Sequence, residues 1–93
     1  MNKFFTYAIY NESRGKIYIG HTENLESRLK RHNRELPNKL KSYTNKNYGF
    51  WRLVHKESFS TRKEAMKREK ELKSSRGRDF IRQIVNNQKQ DKI

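Results

Sequence analysis

Two short aromatic-rich segments, separated by five turn-forming residues, constrain the fold of this chain most strongly. Phe4–Tyr10 and Lys16–Gly20 have the alternation and the residue types of β-strands. Asn11–Gly15 between them has the length and composition of a hairpin turn. The sequence therefore predicts that Tyr7 and Tyr18 lie on neighbouring antiparallel strands.

A helix is predicted after the hairpin, from Thr22 or Glu23 to about Arg34. Apolar residues and a histidine recur in it at three- and four-residue spacing: Leu25, Leu29 and His32. Thr22 is the favoured N-cap, because its hydroxyl can accept a free amide and acidic residues then fall in the first turn.

One more strand and two more helices follow. Residues 50–59 form the third predicted strand, and Thr61 with Glu64 makes a capping-box pair at the start of the second helix. That helix is expected to bury Ala65, Met66 and Leu72. The last helix carries Phe80, Ile81, Ile84 and Val85 on one face, and the polar tail 86–93 is expected to fray.

Composition limits the partners and the size of the fold. The 93 residues leave room for a single domain, 1–93, with a core of about residues 4–85. The formal net charge is +13, which favours a polyanion such as nucleic acid, although a solvated surface or adhesion to acidic lipid has the same signature. No cysteine is present, so disulfides and thiolate zinc sites are excluded. No leader or membrane-spanning segment is apparent, and a soluble cytoplasmic protein is expected.

Several motifs together resemble the GIY-YIG nuclease family, in particular its small single-domain bacterial and phage branch. Tyr18-Ile19-Gly20 matches the second half of the family motif, and Tyr7 matches the tyrosine of the first half, in which Phe5-Thr6-Tyr7 replaces Gly-Ile-Tyr. The remaining matches are Arg28, eight residues after Gly20, then His32 and the Ala65-x-x-x-Glu69 helix. The resemblance implies an α+β fold: a three-stranded antiparallel sheet flanked by helices in the order β-β-α-β-α-α.

The resemblance also assigns chemistry to these residues. It implies that Glu69 binds one divalent ion, Mg²⁺ or Mn²⁺, since a single carboxylate suits hard ions that keep waters and phosphate oxygens as ligands. Arg28 is implied to bind the phosphate in the transition state. Tyr7 is expected to be the general base and Tyr18 to position the attacking water, with the opposite roles left open, and Gly20 allows close approach to the substrate.

Each of these residues also has a structural interpretation. Glu69 falls within the apolar stripe of its helix, which singles it out, but it can instead lie at the edge of that stripe and reach solvent or pair with Arg68 or Lys73. The tyrosines can be rim aromatics of the sheet, and His32 can close the stripe of its helix instead of touching phosphate. His21 is a weaker candidate for the site, and His55 is expected to be structural.

A basic stretch follows the first helix and is predicted to bind nucleic acid through phosphate contacts and base stacking. Its residues are Lys39, Lys41, Tyr43, Lys46 and Tyr48. The favoured function is a metal-dependent DNA endonuclease, structure-selective or weakly sequence-specific, acting in DNA repair or recombination. Branched, nicked or single-stranded DNA would be its partner, and a homodimer or a protein partner stays open. The alternatives are an inactive nucleic-acid-binding module and, on charge alone, a scaffold for an acidic protein.

Overall fold

The computed structural model describes residues 3–33 and 49–90. Three strands form one antiparallel sheet: β1 (Phe4–Asn11), β2 (Lys16–Thr22) and β3 (Trp51–Phe59). Their order is β2-β1-β3, so the strand that carries Tyr7 is central. The predicted hairpin is confirmed.

The hairpin turn is organised by the last residue of β1. The carbonyl of Asn11 accepts hydrogen bonds from the amides of Arg14 and Gly15 at 3.3 and 2.8 Å, and its side-chain oxygen accepts from the Arg14 amide at 3.2 Å. Gly15 has a φ of 63°, a conformation that glycine adopts without strain. This turn sets the register in which Tyr7 pairs with Gly20 and Ile9 pairs with Tyr18.

Three helices complete the described part of the chain: α1 (Leu25–His32), α2 (Arg62–Leu72) and α3 (Ser75–Gln90). The predicted order β-β-α-β-α-α and the α+β class are confirmed. The capping pair of α2 is also confirmed, since the Thr61 hydroxyl accepts the Glu64 amide at 3.2 Å and donates to the Glu64 carboxylate at 3.0 Å. No helix among the described residues is both long enough and apolar enough to cross a membrane.

The sheet is apolar on both faces, as the alternation of β1 requires. One face packs against α2 and α3 through Ala8, Tyr10, Ile17, Ile19, Val54, Leu72, Ile81 and Val85. The opposite face centres on Tyr7, Ile9 and Trp51, with Tyr18, Leu25, Leu29 and Leu53 packed around them. The central strand therefore separates two small hydrophobic clusters, and the second of them holds both motif tyrosines.

An asparagine at the end of α1 connects that helix to β3. The side-chain amide of Asn33 donates to the Trp51 carbonyl at 2.8 Å, and its oxygen accepts the Trp51 amide at 2.6 Å. The Asn33 side chain thus forms the pair of hydrogen bonds that a neighbouring strand would form. These bonds hold the C-terminal end of α1, including His32, against the sheet.

Three local predictions were wrong. The N-cap of α1 is Asn24, whose side chain accepts the Ser27 amide at 3.0 Å, because β2 continues through Thr22. Met66 is 51% exposed instead of buried. The segment expected to fray is helical through Gln90, because Gln88 accepts from Arg52 at 2.7 Å and donates to the Val54 carbonyl at 3.5 Å.

Candidate active site

Two tyrosines and a histidine form a compact aromatic group on the α1 side of the sheet. The ring centroids of Tyr7 and Tyr18 are 6.3 Å apart, and the His32 ring lies 4.8 Å from that of Tyr18 and 5.9 Å from that of Tyr7. The Tyr7 hydroxyl is 2.8 Å from Nε2 of His32. The structure therefore brings together three residues that are separated by up to 25 positions in the sequence.

Gly20 provides the space that this arrangement needs. A Cβ atom at this position would lie 2.9 Å from the Tyr7 hydroxyl oxygen and 3.0 Å from Cε2 of Tyr18. Any larger residue would push one phenol out of place. The absence of a side chain at Gly20 thus lets the two motif tyrosines pack against the backbone of β2.

The pair formed by Tyr7 and His32 is buried. Tyr7 has no exposed surface, and burial followed by the charge of Tyr18 raises the pKa of its hydroxyl well above the ordinary value of 10.0. Burial and the nearby Arg28 charge lower the pKa of His32 from 6.5 to about 4. At neutral pH Tyr7 is therefore a neutral phenol hydrogen-bonded to a neutral imidazole, and the tautomer of the imidazole sets which of the two donates.

Arg28 is placed beside both phenols by the helix that also carries His32. Its side chain lies within hydrogen-bonding reach of the hydroxyls of Tyr7 and Tyr18. Burial works against the charge, but the contacts with the phenols outweigh it and the pKa of Arg28 is raised. Its Nε is buried and has no hydrogen-bond partner within residues 3–33 and 49–90. The site thus contains a permanent cation with one unsatisfied donor.

Glu69 is held between a histidine and a lysine. Its Oε1 lies 2.6 Å from Nδ1 of His21, and its Oε2 lies 2.7 Å from Nζ of Lys73. Burial opposes ionisation, but the hydrogen bonds and charges of Lys73 and His21 outweigh it and lower the pKa of Glu69. The carboxylate is close enough to Tyr7 for its charge to add to the raised pKa of that phenol.

The donor set around Glu69 suits a hard divalent ion that is only partly held by protein. In the part of the chain that the structure describes, no cluster of three or more His, Cys, Asp or Glu side chains forms a complete ligand set. One ionised carboxylate fits Mg²⁺ or Mn²⁺, which keep waters and take phosphate oxygens, and does not fit the three or four protein ligands of a zinc site. The residues present therefore fit the ion expected at Glu69.

An open cleft of about 480 Å³ lies at the start of α1. Its walls include His21, the partner of Glu69, together with three arginines: Arg28, Arg31 and Arg62. Glu23 is the acidic residue in the lining, and it pairs with Arg62. The cleft is thus an electropositive opening that connects the neighbourhood of the carboxylate with that of the catalytic candidate Arg28.

The structure brings most of the predicted site residues together and places His21 beside them. Tyr7, Tyr18, Arg28 and His32 form one group with Gly20, and Glu69 lies near it. His21 was the weaker candidate, since its partner is 48 positions away and no local pattern reveals the pair. His55, expected to be structural, pairs with Glu57 at 2.8 Å and packs edge-on against Phe80. The basic stretch Lys39, Lys41, Tyr43, Lys46 and Tyr48 lies outside the described residues, and its role stays a prediction.

Comparison with known proteins gives the site a context. The sequence model of the GIY-YIG catalytic domain matches residues 3–82. The fold is similar to the solution NMR structure of the UPF0213 protein BH0048 from Bacillus halodurans. The two chains are 26% identical with a TM-score of 0.50, and the similarity covers 88% of this chain and 84% of that chain. No curated protein matches the chain.

Proposed function

Since the chain belongs to the GIY-YIG family of nucleases, we propose that it is an active endonuclease that hydrolyses phosphodiester bonds of DNA at the cleft beside Arg28. The observation that carries the proposal is the convergence of unlike groups at one place. A cation, two phenols and a charge-stabilised carboxylate come from four different elements and lie near a single electropositive opening. A binding module without turnover has no need for this combination.

Glu69 is the residue that would hold the divalent ion. Such an ion supplies positive charge to the phosphate oxygens and to the leaving 3′ oxygen during hydrolysis. The low pKa of Glu69 means that the carboxylate is ionised at neutral pH, as a ligand must be. Lys73 and His21 keep this charge satisfied when no ion is bound.

Arg28 binds the scissile phosphate. A guanidinium stays charged at every physiological pH and can donate two hydrogen bonds to phosphate oxygens. Arg28 lines the open cleft, so its guanidinium faces the space that a phosphate would enter. The negative charge that develops on the phosphate in the transition state strengthens this contact.

Tyr18 is the phenol that meets the attacking water. Tyr7 has no exposed surface and a raised pKa, which makes it a poor base and keeps water from its oxygen, whereas Tyr18 is only half-buried. Tyr18 acts as the base in its phenolate form, which the adjacent Arg28 cation stabilises, and it becomes a neutral phenol when it takes the proton of the attacking water. Tyr7 and His32 hold Tyr18 and Arg28 in place. The proposal therefore takes Tyr18 as the general base, as in the exchanged assignment that the sequence left open, but gives Tyr7 the task of holding its neighbours and not the water.

The cleft is suited to contacts with the phosphates of the DNA backbone and not to recognition of the bases. The three arginines that line it can bind phosphates, and such contacts carry no sequence information. One active site of this kind nicks one strand at a time, so we propose a structure-selective or weakly specific enzyme for branched, nicked or single-stranded DNA in repair or recombination. Cleavage of both strands needs a second encounter or a second copy of the chain.

A cleavage assay with several substrates tests the proposal. Purified protein is incubated with supercoiled plasmid, with a branched oligonucleotide and with a linear duplex of matched sequence, each in Mg²⁺, in Mn²⁺ and in EDTA. We expect nicking that requires the divalent ion and is faster on the branched substrate than on the matched linear duplex. Tight, salt-sensitive binding without cleavage of any substrate would contradict the proposal and favour the inactive binding module.

A further inference from the structure

We propose that His21 is a positioning residue, which fixes the Glu69 carboxylate in the orientation needed to bind the divalent ion at the cleft. The inference rests on the proposed function, because it assumes that Glu69 is the ion ligand. His21 directly follows the motif glycine on β2, and Glu69 lies in the middle of α2. Their contact of 2.6 Å joins the two elements.

The register of the sheet places His21 directly opposite Thr6. The Thr6 hydroxyl donates to the Ala65 carbonyl at 2.6 Å. Ala65 is one helical turn before Glu69. Two neighbouring residues of the sheet therefore contact α2 one turn apart, one through a backbone carbonyl and the other through the carboxylate. These two contacts fix the position of α2 along the sheet and the direction of the Glu69 side chain.

The contacts of Glu69 with Lys73 and with His21 differ in how easily they can break. The Lys73 side chain is 48% exposed and is a long flexible chain on the same helix. The His21 side chain is 22% exposed and comes from the strand, and that of Glu69 is 19% exposed. Lys73 can therefore release Oε2 to an arriving cation while His21 retains Oε1. One oxygen stays fixed and the other becomes the ligand.

His21 also lines the cleft in which Arg28 lies. The residue that holds the carboxylate is thus in contact with the space that the phosphate would occupy. Partners of this kind orient ligand carboxylates, and their removal typically reduces metal affinity or activity about 10- to 100-fold. A plain tether between β2 and α2 would not need to face the cleft.

Two substitutions of similar size separate positioning from tethering. In His21→Asn the amide nitrogen takes the place of Nδ1 and can still donate to Oε1 of Glu69. In His21→Gln the amide lies where Nε2 was, and the donor to Glu69 is displaced. His55→Asn is the matched control, because His55 contacts Glu57 on β3 through Nε2, so that asparagine displaces the donor there, and His55 is absent from the cleft lining.

The measurement is a Mn²⁺ titration followed by electron paramagnetic resonance, with melting temperatures recorded for every variant. We expect His21→Asn and His55→Asn to bind Mn²⁺ within about twofold of the parent, and His21→Gln to bind it at least about tenfold more weakly while folded. The same order is expected for kcat in plasmid nicking, with KM little changed.

The proposal is overturned if His21→Gln binds Mn²⁺ as the parent does, or if the Asn and Gln variants lose affinity only in step with melting temperature. It is also overturned if the parent shows no Mn²⁺ binding that Glu69→Gln removes. Failure of the nuclease proposal gives a different result, namely Glu69-dependent Mn²⁺ binding without cleavage of any DNA.

Discussion

The hydroxyl of Tyr7 lies 2.8 Å from Nε2 of His32, in a buried hydrogen bond that joins the central strand to the first helix. Because the pKa of Tyr7 is raised and that of His32 is lowered to about 4, both partners are neutral at physiological pH. The bond therefore adds no charge to the site. It holds α1, the helix that carries Arg28 and His32, against the sheet. It also distinguishes the roles of the two motif tyrosines, because this bond is made by Tyr7.

Tyr7→Phe is expected to destabilise the protein. The substitution removes the Tyr7 hydroxyl and leaves the buried Nε2 of His32 without this partner, which costs about 1 to 3 kcal/mol of unfolding free energy. Tyr18→Phe, at a half-buried ring, is expected to cost less stability and to reduce the cleavage rate more. Urea unfolding and single-turnover cleavage of both variants check this. Equal stability losses, or a faster Tyr18→Phe than Tyr7→Phe enzyme after correction for folding, would contradict the division of roles.

Acid should destabilise the protein through His32. Its pKa is about 4 in the folded protein and 6.5 ordinarily, so the unfolded chain binds a proton at higher pH than the folded chain does. The contribution of neutral His32 to the unfolding free energy is complete above pH 6.5. It is lost as the pH falls towards 4, by up to about 3 kcal/mol. Glu57 and Glu69, with lowered pKa values, act in the same direction below about pH 4.5.

The measurement is the unfolding free energy between pH 4 and 7 for the parent and for His32→Gln. The variant should lose most of the slope above pH 4.5, where the carboxylates contribute little. An unchanged slope in His32→Gln would contradict the burial of a neutral histidine at this position.

Gly20→Ala is expected to damage the site without touching the substrate. The new Cβ would lie 2.9 Å from the Tyr7 hydroxyl oxygen and 3.0 Å from Cε2 of Tyr18, and relieving such overpacking costs about 1 to 3 kcal/mol. Both the melting temperature and the cleavage rate should fall. Gly15→Asn is the control, since asparagine tolerates a positive φ and the turn has open space around it. A Gly20→Ala protein with parental rate and stability would refute the close contact.

Arg28→Lys should slow the chemical step while preserving the charge. The single ammonium cannot reproduce the guanidinium's two donors, and loss of a transition-state hydrogen bond reduces kcat about 100- to 1,000-fold. Arg31→Lys keeps the charge at another position of the cleft lining and should lose less than about threefold. Single-turnover cleavage at saturating DNA measures both. Equal rates for the two variants would make Arg28 an ordinary phosphate-binding cation.

Local patterns predicted the frame of the site well. The hairpin composition and the position of Arg28, eight residues after Gly20, were sufficient to place the phenols on adjacent strands and the cation on the following helix. The hairpin and the helix both depend on interactions between residues that are close in sequence. The N-cap of α1 was wrong because β2 extends two residues further, which turns Thr22 into a strand residue and leaves Asn24 as the cap.

Long-range side-chain pairs could not be predicted in the same way. The hydrogen bonds of Gln88 with Arg52 and the Val54 carbonyl extend the last helix, although the local sequence has no apolar periodicity there. The contact of His21 with Glu69 likewise depends on how α2 lies against β2. Such pairs follow from tertiary packing, which overrides weak local preferences.

The central claim is that Glu69 and the adjacent cleft form a metal-dependent nuclease site, and single-turnover cleavage by two matched variants tests it most directly. Glu69→Gln and Glu71→Gln each remove one carboxylate from α2, and Glu71 is an exposed residue paired with Arg68. In Mg²⁺ and in Mn²⁺ we expect Glu71→Gln to nick DNA at the parental rate and Glu69→Gln to be at least about 100-fold slower. Parental cleavage by Glu69→Gln at saturating metal would contradict the account.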